Sequence, residues 1–377
     1  ATIAMFLSGL GTAATAPQIV LFLARELDAP LAVAGLFYLT SLAAPFAGYL
    51  IGSRSDKTGD RLGLFRLCAL AGFIGWAAMA MSTAIWMPFL ISTFILAFSG
   101  AAASQVFAAL HDDLARNPSD TNENIVAIVR MALTAGWVIG PVLGAWFAAT
   151  MGLRLTLWLT AFVFLAQILP LGRLSVKAEP ALKNAKSKQA KLTEMLPLLT
   201  FTGLFVLVYA GEPIKYGFLL VYMEETLGLD PFVRGAVIGI QPLVELAIMP
   251  FGIVLSKRFG MLRLMAMAAG TAAIANLCFA TWPTATGMFV GQILMGGVWA
   301  VFMVLGIIIA QRLLPGAIAT ASAIYMNAPA LASAIGGLAG GTGVSVLGLP
   351  EVFYLPAILA TLAAIGLWAM SRQDGER

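Results

Sequence analysis

The chain has 377 residues, 60% of them hydrophobic and 11% charged, with a mean hydropathy of +0.92 and a formal net charge of +4. Soluble domains carry about 25% charged residues, so this composition excludes an ordinary water-soluble enzyme and points to a chain that lives in lipid. The basic residues gather in particular connections, which argues against nucleic acid as a partner.

Crossing a bilayer core takes about 20 apolar residues. Such runs recur from end to end and predict an all-α membrane protein of twelve spans, at 3–24, 31–52, 63–82, 86–109, 123–150, 154–172, 195–222, 232–256, 262–281, 285–311, 315–343 and 350–371. The first run is apolar from its start and no initiator methionine precedes it, so a trimmed tail and a mature helix are expected rather than a signal peptide. The runs at 123–150, 195–222 and 315–343 exceed the minimum length, so they are expected to tilt or break. The most polar stretch, 173–194, carries Arg173, Lys177, Lys183, Lys186, Lys188 and Lys191. It separates an N-terminal half, 1–172, from a C-terminal half, 195–377, each with six spans. The even-numbered connections hold Arg54, Lys57, Arg61, Arg66, Arg116, that linker cluster, Lys257, Arg258, Arg263 and Arg312, whereas the odd ones hold only Arg25, Arg154 and Arg234. The positive-inside rule then expects the even connections and both termini in the cytoplasm. Cys68 and Cys278 fall inside apolar runs and are expected to pack as small hydrophobes rather than to form a disulfide.

Between spans 2 and 3 lies the charged turn Gly52-Ser53-Arg54-Ser55-Asp56-Lys57-Thr58-Gly59-Asp60-Arg61. Gly52 and Gly59 are expected to permit a tight reversal, and Arg61 to pair with Asp112 or Asp113 at the end of span 4. A solvated turn whose charges set topology accounts for the same residues. His111, beside those acids, reads as an interfacial residue. In span 5, Gly136, Gly140 and Gly144 recur every four residues and form a face for close helix approach, with Pro141 expected to add a kink. Ordinary membrane packing uses that spacing too. The pattern Gly52-x-x-x-Asp56-Lys57 returns 200 residues later as Gly252-x-x-x-Ser256-Lys257, without its acid. Six-span repeats imply a substrate site between the halves near mid-membrane.

Charges inside a membrane are costly and default to functional hypotheses. They are Arg130 on span 5, Glu212 and Lys215 on span 7, and Glu245 on span 8. Glu245 lies about 20 Å into its span at 1.5 Å per residue. It is expected to meet Arg130 across the halves, either for function or simply to hold them. Glu212 and Lys215 stand three residues apart at the break Gly211-Glu212-Pro213, where they neutralise each other or Lys215 snorkels outward. Polar and aromatic groups at mid-depth are Gln18, Tyr38, Trp137, Tyr209 and Tyr216, and then Gln241, Gln292, Trp299, Tyr325 and Asn327. Aromatic faces with amides suit a neutral polyol, and they suit an amphipathic drug equally well. Core packing remains an alternative for each. The sequence holds no metal-ligand cluster, no nucleophile–base spacing and no phosphate-binding Gly-Lys-Ser/Thr string, so no enzyme, metal or cofactor is expected, nor ATP-driven transport by this chain alone.

The charged turn resembles the G-x-x-x-D-[RK]-x-G-[RD]-R loop of the major facilitator superfamily. Gly136-x-x-x-Gly140-Pro141-x-x-Gly144-Ala145 resembles the span-5 motif of its exporting antiporters, with Ala145 in place of the final glycine. Asp60 in the loop, Val129-Arg130 followed by Trp137-Val138-Ile139-Gly140-Pro141, Val244-Glu245 through Pro250, and Ala323-Ile324-Tyr325-Met326-Asn327 are similar to the bacterial sugar efflux transporter family. The resemblance implies the twelve-helix fold in two pseudo-symmetric halves, and proton-coupled export of a small sugar or sugar-like solute across the inner membrane. A multidrug or metabolite antiporter of the same fold is the alternative. It also implies that Asp56 latches against the start of span 11, near Pro315 and Gly316, where a helix N-terminus favours a carboxylate. The implied partners are the solute, protons and the bilayer, with the chain a monomer. Substrate contacts are expected from Arg130, Trp137, Gln241, Glu245, Tyr325 and Asn327, joined by Gln18, Tyr38 and Trp299. No acid sits in the interior of the first six spans, Glu123 standing at the very edge of span 5, so the proton carrier is expected in the second half. Glu245 is the first choice and Glu212 the second, because desolvation favours the neutral acid and lets it load a proton.

Overall fold

The computed structural model describes residues 1–116, 122–171 and 192–374, so most of the basic linker, including Arg173 and its five lysines, lies outside the described residues. Twelve helices among the described residues are long and apolar enough to cross a membrane: Thr2–Glu26, Leu31–Thr58, Arg61–Ala80, Trp86–Leu114, Ile128–Met151, Leu153–Leu171, Thr193–Thr226, Pro231–Phe259, Met261–Thr281, Ala285–Leu313, Thr320–Leu347 and Glu351–Arg372. They are spans 1 to 12. Of the three overlong runs, span 7 breaks, into Leu192–Tyr209 and Gly211–Val221. The other two hold their prolines inside single helices, Pro141 in Asn122–Met151 and Pro329 in Ile318–Leu347.

The chain forms two compact units, Ala1–Ala29 with Thr40–Asn184, and Pro30–Leu39 with Ala185–Arg377. In the first unit the glycine stripe of span 5 is a packing face for span 1. Gly136 lies against the backbone of Phe6 and Leu10, Gly140 against Leu10 and Ala13, and Gly144 against Ala14, while Gly9 of span 1 answers against Leu133. A methyl group at any of these glycines would overlap the facing helix, so backbone approach, not side-chain interlock, joins the two spans. Beneath them Met5, Phe65, Cys68, Ala102, Val106 and Val129 share one buried cluster. At the opposite end Arg154 of span 6 clamps three neighbours. Its Nε donates to Glu26 at 2.8 Å, and Nη1 donates to the carbonyls of Ala80 and Ser82 at 2.9 and 2.8 Å.

In the second unit, the doubled pattern Gly336-Gly337-x-x-Gly340-Gly341 gives span 11 two close faces. Gly336 and Gly340 receive Ala210, Pro213 and Ile214 of span 7. Gly337 and Gly341 receive Ala32, Gly35 and Tyr38, which is why the ten residues Pro30–Leu39 cluster with this unit rather than with the remainder of span 2. Both cysteines are free, Cys68 buried and Cys278 partly so.

Candidate functional site

The break in span 7 builds a polar buried site in the second unit. Pro213 has no backbone N–H to continue the helix, and a new helix starts at Gly211. That places Glu212 in the first turn, at the positive end of the helix dipole, where a carboxylate is favoured. Lys215 follows three residues later on the same face. Its Nζ donates to both Glu212 oxygens, at 2.7 and 2.9 Å, and also to Oε1 of Gln241 on span 8. The indole Nε1 of Trp299 on span 10 donates to Glu212 Oε1 at 2.8 Å. Three spans thus meet on one ion pair.

The pair is buried. Lys215 is 0% exposed and Glu212 6%. The ammonium does not snorkel outward, which corrects that expectation: with a carboxylate, an amide and the Tyr216 ring (4.8 Å from Nζ) around it, an inward rotamer satisfies the charge that a mid-span position would otherwise strand. Tyr209 and Trp299 meet edge-on at 5.1 Å, and Phe205 adjoins both, so rings flank the pair. Tyr38 stands within electrostatic range of Glu212. Glu245, half-buried and one turn beyond Gln241 on the same face of span 8, acts electrostatically on Lys215, Tyr209 and Tyr216. Gln292 lies two turns before Trp299 on span 10. It is fully buried, and neither amide atom has a hydrogen-bond partner among the described residues.

Other expected contacts lie elsewhere. Tyr325 packs behind the ring wall, stacked on Phe201 at 5.9 Å and 4.7 Å from Phe205, with its hydroxyl donating to the Phe302 carbonyl at 3.5 Å. Asn327 is exposed and donates to its own helix at Ala323, 2.8 Å away. Gln18, Trp137 and Arg130 belong to the first unit, where Gln18 is buried at a one-turn 3-10 segment, Trp137 is half-buried and Arg130 is exposed. Lys215 was the member of the network that sequence undervalued, although its i,i+3 spacing from Glu212 was the available signal.

The charged turn of the first unit is a second, wetter network. Gly59 ends span 2 in the left-handed conformation (φ 67°), and Asp60 caps span 3 by accepting from the Gly63 N–H at 2.9 Å. Gly52 takes no part in the reversal, contrary to expectation: it lies inside the helix Ala43–Thr58, and Gly59 alone supplies the left-handed residue. Arg61 is the hub. It donates from Nε to Asp112 at 3.0 Å, and from Nη1 to Asp56 at 2.6 Å and Ser55 at 2.8 Å, while Ser55 donates onward to Gln105 of span 4 at 2.6 Å. The Arg61 side chain is 13% exposed, Asp112 20% and Asp56 60%. Lys57 and Asp113 are exposed.

The sequence model of the Major Facilitator Superfamily matches residues 1–211 and again 198–377. The chain is 29% identical over 385 residues to a Deinococcus radiodurans protein described as a sugar efflux transporter, covering 98% of this chain and 97% of that one. Sugar efflux transporter B of Salmonella typhimurium and sugar efflux transporter C of Escherichia coli are each 25% identical over 96% of this chain, covering 92% and 93% of their own. Among solved structures, a point mutant of the nucleoside transporter NupG superposes with a TM-score of 0.81 at 18% identity over 98% of both chains. A point mutant of a peptide transporter POT in complex with sulfate superposes with 0.83 at 12% identity, over 100% of this chain and 94% of that one. At such identities these structures speak for the fold alone.

Proposed function

The chain belongs to the Major Facilitator Superfamily, and from that premise we propose that it exports a small sugar or sugar-like solute in exchange for protons, with access alternating between its two halves. It is a multi-pass membrane transporter and not an enzyme. The observation that carries the finer reading is the buried Glu212–Lys215 pair held by Gln241 and Trp299.

Protonation of Glu212 removes one charge of the pair and leaves the Lys215 ammonium opposed only by Gln241 and the more distant Glu245. That arrangement is costly in an apolar interior, so proton loading and rearrangement of Lys215 are linked. A sugar offers the same interactions as the pair's own partners. Its hydroxyls can replace Lys215 on the carboxylate and meet Gln241, while its apolar face stacks on Tyr209 or Trp299. Proton and solute then compete for one group, which is what antiport requires. Glu212 therefore takes first place as the carrier, with Glu245 beside it as the group that receives Lys215 when the pair opens. Tyr38 is proposed as a further solute contact in the second unit. Arg130, Trp137 and Gln18 are proposed as the contribution of the first half. The lysine already neutralises the acid, so the site favours a neutral solute over a lipophilic cation.

In the same reading Arg61, Asp56, Lys57 and Asp112 gate the exchange between conformations, Asp113 adds charge beside them, and the Gly136–Gly144 face keeps spans 1 and 5 moving as one body. Even-numbered connections and both termini face the cytoplasm, the membrane is the bacterial inner membrane, and one chain suffices for transport.

Reconstituted vesicles decide it. Labelled lactose and glucose should enter by counterflow, and uphill movement should require a pH gradient. Glu212→Gln should keep counterflow and lose the pH-driven component. Gradient-driven movement of a lipophilic cation with no movement of either sugar would overturn the sugar reading, and uphill transport intact in both Glu212→Gln and Glu245→Gln would overturn the carboxylate carrier.

A further inference from the structure

The second unit has a counterpart to the charged turn of the first, and its electrostatics are inverted. In the first unit three acids serve the turn: Asp56 and Asp112 hold Arg61, and Asp60 caps span 3. The residues 200 positions later are Ser256, Arg312 and Gly260. Ser256 turns inward and donates to the Ile253 carbonyl of its own helix, 2.8 Å away. Gly260 leaves the start of the 21-residue helix Met261–Thr281 with no side-chain cap. In place of acids, Arg258, Arg263 and Arg312 line a cavity of about 400 Å³ with Phe259, Met261 and Leu313. No carboxylate among the described residues lines it.

Two of these arginines have a local explanation. Arg258 and Arg312 lie in the last turns of their helices, where a cation complements the dipole. Arg263 suits the cytoplasmic side expected of its connection but gains nothing from its helix, since it sits in the first turn, beside the positive end. A cation there, next to uncapped N–H groups and two further guanidinium groups, fits an anion bound between them. The surroundings indicate what carries that anion. Val254 and Phe251 precede Arg258 by one and two turns on the same face of span 8, and both are exposed. An apolar stripe ending in a basic pocket is the shape of an acyl chain below a phosphate.

We propose that this cavity binds the phosphate of an anionic phospholipid headgroup, with Arg258, Arg263 and Arg312 as its ligands and the Phe251–Val254 stripe against its acyl chain. Basic pockets between membrane helices recognise headgroups in this way, and each arginine near the surface is worth about five-fold in affinity. The site is independent of the buried Glu212 network.

Native mass spectrometry of the full chain, titrated with phosphatidylglycerol or phosphatidylcholine, tests it. Phosphatidylglycerol should bind more tightly to the wild type. Arg263→Gln and Arg312→Gln should each weaken it about five-fold, and Arg312→Asp should abolish the preference by supplying the acid that stands at Asp112 in the first unit. Arg312→Lys should retain most of the binding, which separates loss of charge from loss of fold. Arg54→Gln, an equal change of charge on the exposed turn of the first unit, should leave binding unaltered. An equal loss in Arg54→Gln would reduce the effect to net charge and overturn the site. No preference for phosphatidylglycerol, together with inorganic phosphate binding that is lost in Arg263→Gln, would overturn the lipid in favour of a soluble phosphate.

Discussion

Arg61 in the first unit and Lys215 in the second are each the hub of a polar network, and they differ chiefly in water. Arg61 draws on two carboxylates and a serine at the end of a span, and one of those carboxylates, Asp56, is mostly solvated. Lys215 hydrogen-bonds one carboxylate, Glu212, among the described residues, and its side chain is buried. A hydrated pair exchanges protein partners for water at little cost, so it suits a contact that must form and break. A buried pair has no such substitute, so any change in its charge forces rearrangement. In the roles proposed for them, hydration, more than the number of bonds, separates the gate from the coupling site.

The largest effect should follow from breaking the dry pair on one side. Lys215→Met leaves Glu212 buried without its cation and should destabilise the protein by about 3–5 kcal/mol, read as a fall in thermal unfolding temperature in detergent, with transport lost. Adding Glu212→Gln to it should recover much of that stability without recovering pH-driven transport. If Lys215→Met proved as stable as the wild type, the pair would not be dry. Next in size is the helix contact of the first unit. Gly140→Val drives its side chain into the Ala13 methyl, the Leu10 carbonyl and the Ala14 backbone nitrogen and should cost about 1–3 kcal/mol, with expression and unfolding temperature as readouts. Gln292→Leu should leave stability unchanged or slightly raised, since it removes buried amide atoms that have no partner. A fall in counterflow in that variant would add Gln292 to the solute contacts. The wet hub should also move stability little. Asp56→Asn should shift it by less than about 1 kcal/mol, slow exchange, and leave solute affinity within a few-fold. Lost affinity at a normal exchange rate would remove Asp56 from the gate.

Much of this was legible in the residues themselves. Twelve apolar runs needed only length and hydropathy. The interruption at Gly211-Glu212-Pro213 was marked by a glycine and a missing N–H together, although the same missing N–H at Pro141 and Pro329 left their helices whole, and the turn at Gly59 needed a residue free to adopt positive φ. The site was half legible: a carboxylate and a lysine three residues apart on an apolar helix mark each other. Their other partners were not. Gln241 and Trp299 lie 26 and 87 residues from the groups they bond, and no periodicity connects them.

What the amino-acid sequence determined alone is therefore set by local terms: which segments enter the membrane, that span 7 breaks at Gly211-Glu212-Pro213, and which charges are too costly to stand alone in lipid. Tertiary structure decided who answers those charges. It turned Lys215 inward instead of toward the surface, set the glycines of span 5 against span 1, and joined Pro30–Leu39 to the second unit through Gly337 and Gly341. The physical reason is the same in each case. A buried charge or a bare glycine face carries a strong demand for a partner and no information about which distant segment will meet it, and only close packing of the helices supplies that choice.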